Sequence, residues 1–175
     1  MNAVTNSGPL IAMGKLGLSH LLGRLYRPLS VPDAVYEEVV TRGIAMRQPD
    51  AFSVQLAVAR RDLVVRNVSD EETVAMAPFL HRGERAAIVL AQQTWADWLL
   101  LDDQAAREYA TGLGIHVKGT LGIIVEFYRH ALIDADEVEL IFATILARDD
   151  IWISNNLVQR VRNAWRRERG LASAA

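Results

Sequence analysis

No cysteine occurs among the 175 residues, which removes disulfides, thiolate zinc sites and cysteine nucleophiles together. No stretch of about 18 apolar residues runs uninterrupted, and the opening MNAVTNSGPLIAMGK has no basic segment followed by a long apolar one. The expectation is a cytoplasmic protein with no membrane partner. Internal repeats, low-complexity tracts and long linkers are absent as well, so residues 1–175 read as a single domain. With 51% hydrophobic and 23% charged residues, disorder and collagen-like structure are excluded. A chain of this length buries about 70% of its unfolded surface, enough for a core without staples.

Familiar catalytic signatures are missing too. No G-x-S-x-G nucleophile motif occurs. Gly112-Leu113-Gly114 closes a helix, and Lys118-Gly119-Thr120 lacks the pattern of a phosphate loop. His20, His81, His116 and His130 have no metal-ligand spacing and read as structural or surface residues. Trp95, Trp98, Trp152 and Trp165 read as core or interface residues before base-stacking platforms. The formal charge of −2 is unevenly spread: residues 155–175 carry five arginines against Glu168, a net +4. Such a basic helix, at about 155–170, either touches phosphates or pairs with the protein's own acidic surface.

What is present is an alternation of short β-like runs with longer helical ones, the pattern of a parallel sheet with crossover helices. Ala3–Asn6, Pro28–Val31, the apolar run Trp98–Leu101 and IHVK at 115–118 read as strands; DLVVRNV at 62–68 is a strand or an extended connection. Helices are expected over 10–25 with glycine interruptions, over 32–43 with Pro32 at the start, over 50–61, from Gly83, over 104–114 and 119–133, and from Asp134 as an N-cap. The fold class predicted is α/β, a three-layer α/β/α sandwich with a short, mostly parallel sheet of four or five strands.

Ligands of open parallel sheets collect outside the carboxyl ends of the strands. Asn6 follows AVT there, and Asp102 and Asp103 follow WLLL; Glu38 and Glu84, near helix starts, reach the same edge. Clustered carboxylates raise each other's pKa unless a cation joins them, and Mg²⁺ or Mn²⁺ takes oxygen ligands while leaving room for phosphate oxygens. Each residue also has a plain structural role open to it: Asp102 or Asp103 as a helix cap, Glu84 complementing a helix dipole, Glu38 as a solvated group, Asn6 in an Asx turn.

VTNSGPLIAMGKLG, VPDAVYEEV, GERAAIVLA, LLLDDQAAR and GTLGII follow one another, with Glu84 lying 18 residues before Asp102. In this order and spacing the chain resembles PIN-domain proteins, in particular the branch of VapC-like toxin ribonucleases, over about residues 3–133. The resemblance implies a metal-dependent endoribonuclease, the toxin of a type II toxin–antitoxin pair, with an RNA substrate, a small antitoxin partner and a homodimeric state. Carried over, Glu38, Glu84 and Asp102 resemble the metal ligands, with Asp103 in support; by residue type, Ser7 caps the following helix or orients a ligand, and Thr120 caps the helix LGIIVEFY or stands behind the ligands of the site. Asn6 stands where the family has its first aspartate. An amide offers a carbonyl oxygen but no charge, so the departure weakens or abolishes catalysis. The alternative is a non-catalytic PIN-like module that binds RNA or a protein.

Overall fold

The computed structural model describes residues 1–69, 73 and 78–170. The chain divides into two compact units, Met1–Thr120 and Leu121–Ala175. The first holds a five-stranded sheet: β1 (Ala3–Thr5), β2 (Leu29–Pro32), β3 (Val64–Arg66), β4 (Trp98–Leu100) and β5 (Val117–Lys118), in the order β3-β2-β1-β4-β5. All four pairings are parallel, with Val4 opposite Ser30 on one side and Leu99 on the other. The α/β fold with a short parallel sheet is therefore as the alternation predicts, and the doubtful run at 62–68 supplies the edge strand β3.

Strands in a parallel sheet are covered on both faces and need near-continuous apolar sequence. β1 and β2 are buried at every residue. Helix α1 (Ser7–Lys15) follows β1, and α2 (Ser19–Leu25) follows Gly17, whose φ of 72° breaks what the sequence suggests as one helix. After β2, α3 (Asp33–Tyr36) widens into a π-helical stretch (Glu37–Arg42) and closes with one turn, α4 (Gly43–Ala45). The helix thus passes the expected stop at Gly43, because Gly43 lies against Ala51 of α5 (Pro49–Ala59), whose Cβ sits 2.8 Å from the point where a side chain would begin. Helix-on-helix packing here requires the absent side chain.

Helix α6 (Arg82–Gln93) runs against β1, β2 and β4. Its small and branched residues Ala86, Ala87, Ile88 and Leu90 join Val4, Leu99 and Leu101 in one buried cluster, where full burial of a side chain such as Ile88 is worth about 1.5–3 kcal/mol. Ala106 and Ala110 of α7 (Gln104–Gly112) complete it.

The second unit contains the rest of α8 (Thr120–Arg129), with α9 (Ala135–Leu146) and α10 (Asn155–Glu168). Asp134 caps α9, accepting from the Glu137 amide at 2.9 Å while Glu137 accepts from the Asp134 amide at 2.7 Å, the reciprocal arrangement that satisfies two orphan donors. Trp165 is buried edge-on to Tyr128 and beside Phe142. The basic helix is partly self-paired: Glu139 accepts from Arg162 at 2.6 Å and from Arg166 at 2.7 Å, and Arg169 lies over the rings of Tyr128 and Trp165. Among the described residues no helix is long and apolar enough to cross a membrane.

Candidate active site

The crossover from β1 to β2 leads to one side of the sheet, whereas β4 lies on the other side of β1. The carboxyl ends of β1 and β4 therefore flank the point where strand order reverses, the place where such sheets open a crevice. Asn6 leaves β1 there, its amide donating to the Leu100 carbonyl at 2.9 Å. Asp102 leaves β4 beside it. Gly8, in the first turn of α1, permits the approach: a Cβ on Gly8 would lie 3.1 Å from Asp102 Oδ2.

Asn6 occupies the N-cap position of α1 yet makes no capping hydrogen bond. Asparagine is among the best capping residues, so the plain Asx-turn reading does not describe it. Its side chain is buried, at 6% exposure, and Oδ1 has no hydrogen-bond partner among the described residues. A buried acceptor left unmade costs about 1–3 kcal/mol, and such exceptions cluster where a ligand belongs. Oδ1 points to the space in front of Gly83, second residue of α6. Where a Gly83 side chain would begin, Val35 Cγ2 lies 3.2 Å away, Glu38 Oε2 3.3 Å and Asn6 Oδ1 3.4 Å.

Glu38 reaches this point from the π-helical stretch, where Val39 and Val40 are buried and Glu38 itself is exposed. Its neighbour Glu37, exposed as well, is turned to the arginines, 3.5 Å from Arg82 and 3.9 Å from Arg42. Insertion of an extra residue per turn is common at functional sites, and here it sets which glutamate faces Asn6.

Glu84 is buried at 8% exposure, and its Oε2 accepts from the His81 amide at 2.9 Å in a capping box. This carboxylate therefore satisfies the start of α6, as its dipole-complementing role predicts. Asp102 accepts from the Thr120 amide and the Thr120 hydroxyl, both at 2.7 Å. Burial pushes the Asp102 carboxyl above its usual value, while the Thr120 hydrogen bonds and then the Arg107 charge pull it back. Asp103 is the helix cap, its Oδ1 accepting from the Ala106 amide at 2.8 Å; Ser7 opens α1 and is half-buried.

The seven residues read from the sequence thus separate by role. Asn6 and Glu38 meet at Gly83; Asp102 stands at the neighbouring strand end, locked by Thr120; Glu84 and Asp103 are tied to helix starts. Among the described residues, no three His, Cys, Asp or Glu side chains converge closely enough to hold a metal by themselves. Lys118 has its Nζ 3.8 Å from the centre of the Trp98 ring. Two features escape sequence reading. The glycines at 8, 83 and 119 leave room for Asp102, Glu38 and Asn6, and Arg107 lies beside Asp102 under Gly119. Arg107 had a signal, since a cation in the first half of a helix opposes its dipole.

The family model described as PIN domain (DUF3368) matches residues 2–167. A solved structure, a PilT N-terminus domain protein from the hyperthermophilic archaeon Sulfolobus solfataricus P2, is similar over 69% of this chain and 87% of its own, at 17% identity and a TM-score of 0.44. No curated protein matches the chain.

Proposed function

This chain belongs to the PIN-domain family, a nuclease-type fold, and from that premise we propose that it is a metal-dependent endoribonuclease whose activity is reduced by Asn6. The observation that carries the reading is the buried, unpartnered Oδ1 of Asn6 turned toward the Glu38 carboxylate at the strand-order reversal. The donors gathered there are all oxygen, the set that suits a hard cation which keeps several waters and needs only one or two carboxylates beside substrate phosphates. Asn6 and Glu38 would hold Mg²⁺ or Mn²⁺, with Asp102 and Glu84 as the further acidic residues of the crevice. Bound there, the ion lowers the pKa of a water and offsets charge on phosphate oxygens.

The chain's own residues do the rest. Water is the nucleophile at the scissile phosphodiester. Thr120 fixes both carboxylate oxygens of Asp102, so Asp102 enters the reaction already oriented. Glu84 and His81 stiffen the entry of α6 and hold Gly83 against Glu38. Asn6 supplies an oxygen without charge; loss of one well-placed electrostatic contribution costs about 3–4 kcal/mol of transition-state stabilisation, so this sequence is a slow catalyst. The motif order supports placement in the VapC-like branch, and with it the toxin half of a toxin–antitoxin pair acting in the cytoplasm. The two units are read as one domain because the family match runs through both. Met46, Phe52 and Leu56 are exposed apolar side chains on or next to α5, surface suited to a second copy or to a small antitoxin.

The test is cleavage of single-stranded RNA in Mn²⁺. The wild-type chain is expected to cut slowly, Asn6→Asp about 100- to 1,000-fold faster, and Glu38→Gln not at all; EDTA stops each. If Asn6→Asp binds RNA but never cuts, the alternative of a non-catalytic RNA-binding module replaces the nuclease, a reading favoured by the same uncharged Asn6.

A further inference from the structure

Arg107 is the charged group of the crevice that neither the metal ligands nor the helix caps account for. It sits in the first half of α7, where the helix dipole disfavours a cation, and it is half-buried. Its charge acts on the Asp102 carboxyl beside it, without a direct hydrogen bond between the two. Among the described residues its only hydrogen bond is from Nη1 to the Leu101 carbonyl, at 3.2 Å, and no ion pair holds it. Asp102, the nearest acid, is occupied by Thr120. Among the described residues no acceptor meets the other guanidinium N–H groups.

The backbone makes room for this arrangement. A Cβ on Gly119 would collide with Arg107 Nη1 and lie 3.0 Å from Asp102 Oδ1, so any larger residue would displace the guanidinium or the carboxylate. Leu101 is bonded through its amide to the Lys118 carbonyl at 3.0 Å, which keeps the carbonyl that anchors Nη1 at the end of β4. The head group is thus anchored through Nη1 on the main chain at the end of β4 and lies beside Asp102. A planar fork of donors held in this way matches two phosphate oxygens.

We infer that Arg107 is a substrate-binding residue that grips a backbone phosphate of single-stranded RNA next to Asp102. The inference rests on the nuclease reading and deepens it by naming a substrate contact. Each phosphate contact to a single strand adds about 0.7 to the slope of log affinity against log salt. The subsite therefore has a signature that a purely structural clamp on Leu101 would not produce.

The experiment is fluorescence anisotropy of a labelled single-stranded RNA oligonucleotide in EDTA, titrated with the full chain over a series of KCl concentrations. Arg107→Met is expected to weaken binding about tenfold at low salt and to lower the slope by about 0.7. Arg107→Lys keeps the charge and is expected to restore the slope but only part of the affinity, since an ammonium cannot make the two-oxygen contact. A slope unchanged in Arg107→Met, with or without a lower Tm, overturns the inference and leaves the nuclease reading standing. Should Arg107→Met fail to fold, Arg107→Lys decides: affinity equal to wild type overturns the inference, and a partial loss upholds it. A wild-type chain that neither binds nor cuts RNA overturns both.

Discussion

Placing a carboxylate at position 6 tests the site through stability before any catalysis is measured. The oxygen of Asn6 and that of Glu38 lie within 3.4 Å of one point before Gly83, and Asn6 is buried. With the two oxygens at most about 6.7 Å apart, unit charges at an effective dielectric of about 20 repel by about 2.5–3 kcal/mol. Asn6→Asp should therefore lose about that much stability in EDTA at neutral pH. For a chain of this size 1 kcal/mol moves the midpoint by about 2–4 °C, so Tm should fall by about 5–12 °C. Lowering the pH should recover the loss, because a proton on either carboxylate removes the repulsion. Mn²⁺ should recover it at neutral pH and should stabilise the variant more than the wild type. The assay is a thermal melt followed by circular dichroism, with EDTA or MnCl₂. A variant as stable as the wild type in EDTA, with no extra gain from Mn²⁺, would refute the convergence of residues 6 and 38.

Gly83→Ala puts a methyl at 3.2–3.4 Å from Val35, Glu38 and Asn6; helix propensity offsets the crowding by up to about 1 kcal/mol, so Tm should hold within a few degrees while Mn²⁺-dependent cleavage drops by more than about tenfold. Thr120→Val removes the hydroxyl that donates to Asp102 and should cost about 1.5–3 kcal/mol in urea unfolding, with Thr120→Ser retaining most of it; an unchanged midpoint for Thr120→Val would contradict the bond. In the second unit, the Arg166 hydrogen bonds, and then Arg162, hold the Glu139 carboxyl below its usual value. Its contribution is present above the unfolded carboxylate pKa and lost as pH falls through the folded one, so Glu139→Gln should be less stable than wild type at pH 7 and equal to it in strong acid. Gly14→Ala would bring a methyl to 2.7 Å from Asp50 Cβ and 3.2 Å from its Cα; the overpacking of α1 on α5 should cost about 1–3 kcal/mol.

Much of the fold is legible because a parallel sheet writes itself into sequence: AVT, LSVP and WLLL are short, mostly apolar runs, and each is followed by helical periodicity. Boundaries are less so. The break at Gly17 depends on a left-handed backbone angle, and the run past Gly43 depends on a neighbour, Ala51, that only tertiary packing supplies. In the site, Asn6, Glu38 and Asp102 are readable as strand-end or helix-start polar residues, and Thr120 as their support. The division of labour among them is not. Whether an acid caps a helix or faces a crevice turns on a few ångströms: Asp103 and Glu84 bond to main-chain amides, whereas Asn6, the better capper by residue type, bonds to none. Arg107 leaves only a faint mark in the sequence, a cation near a helix start, because its place beside Asp102 under Gly119 is set by tertiary packing.

The most direct measurement is anomalous diffraction from crystals of the wild-type chain soaked in MnCl₂. A manganese peak coordinated by Asn6 Oδ1 and the Glu38 carboxylate in front of Gly83 is the predicted result. Fully soaked crystals with no peak there, or with manganese bound only elsewhere, would contradict the assignment of this crevice as the metal-dependent centre.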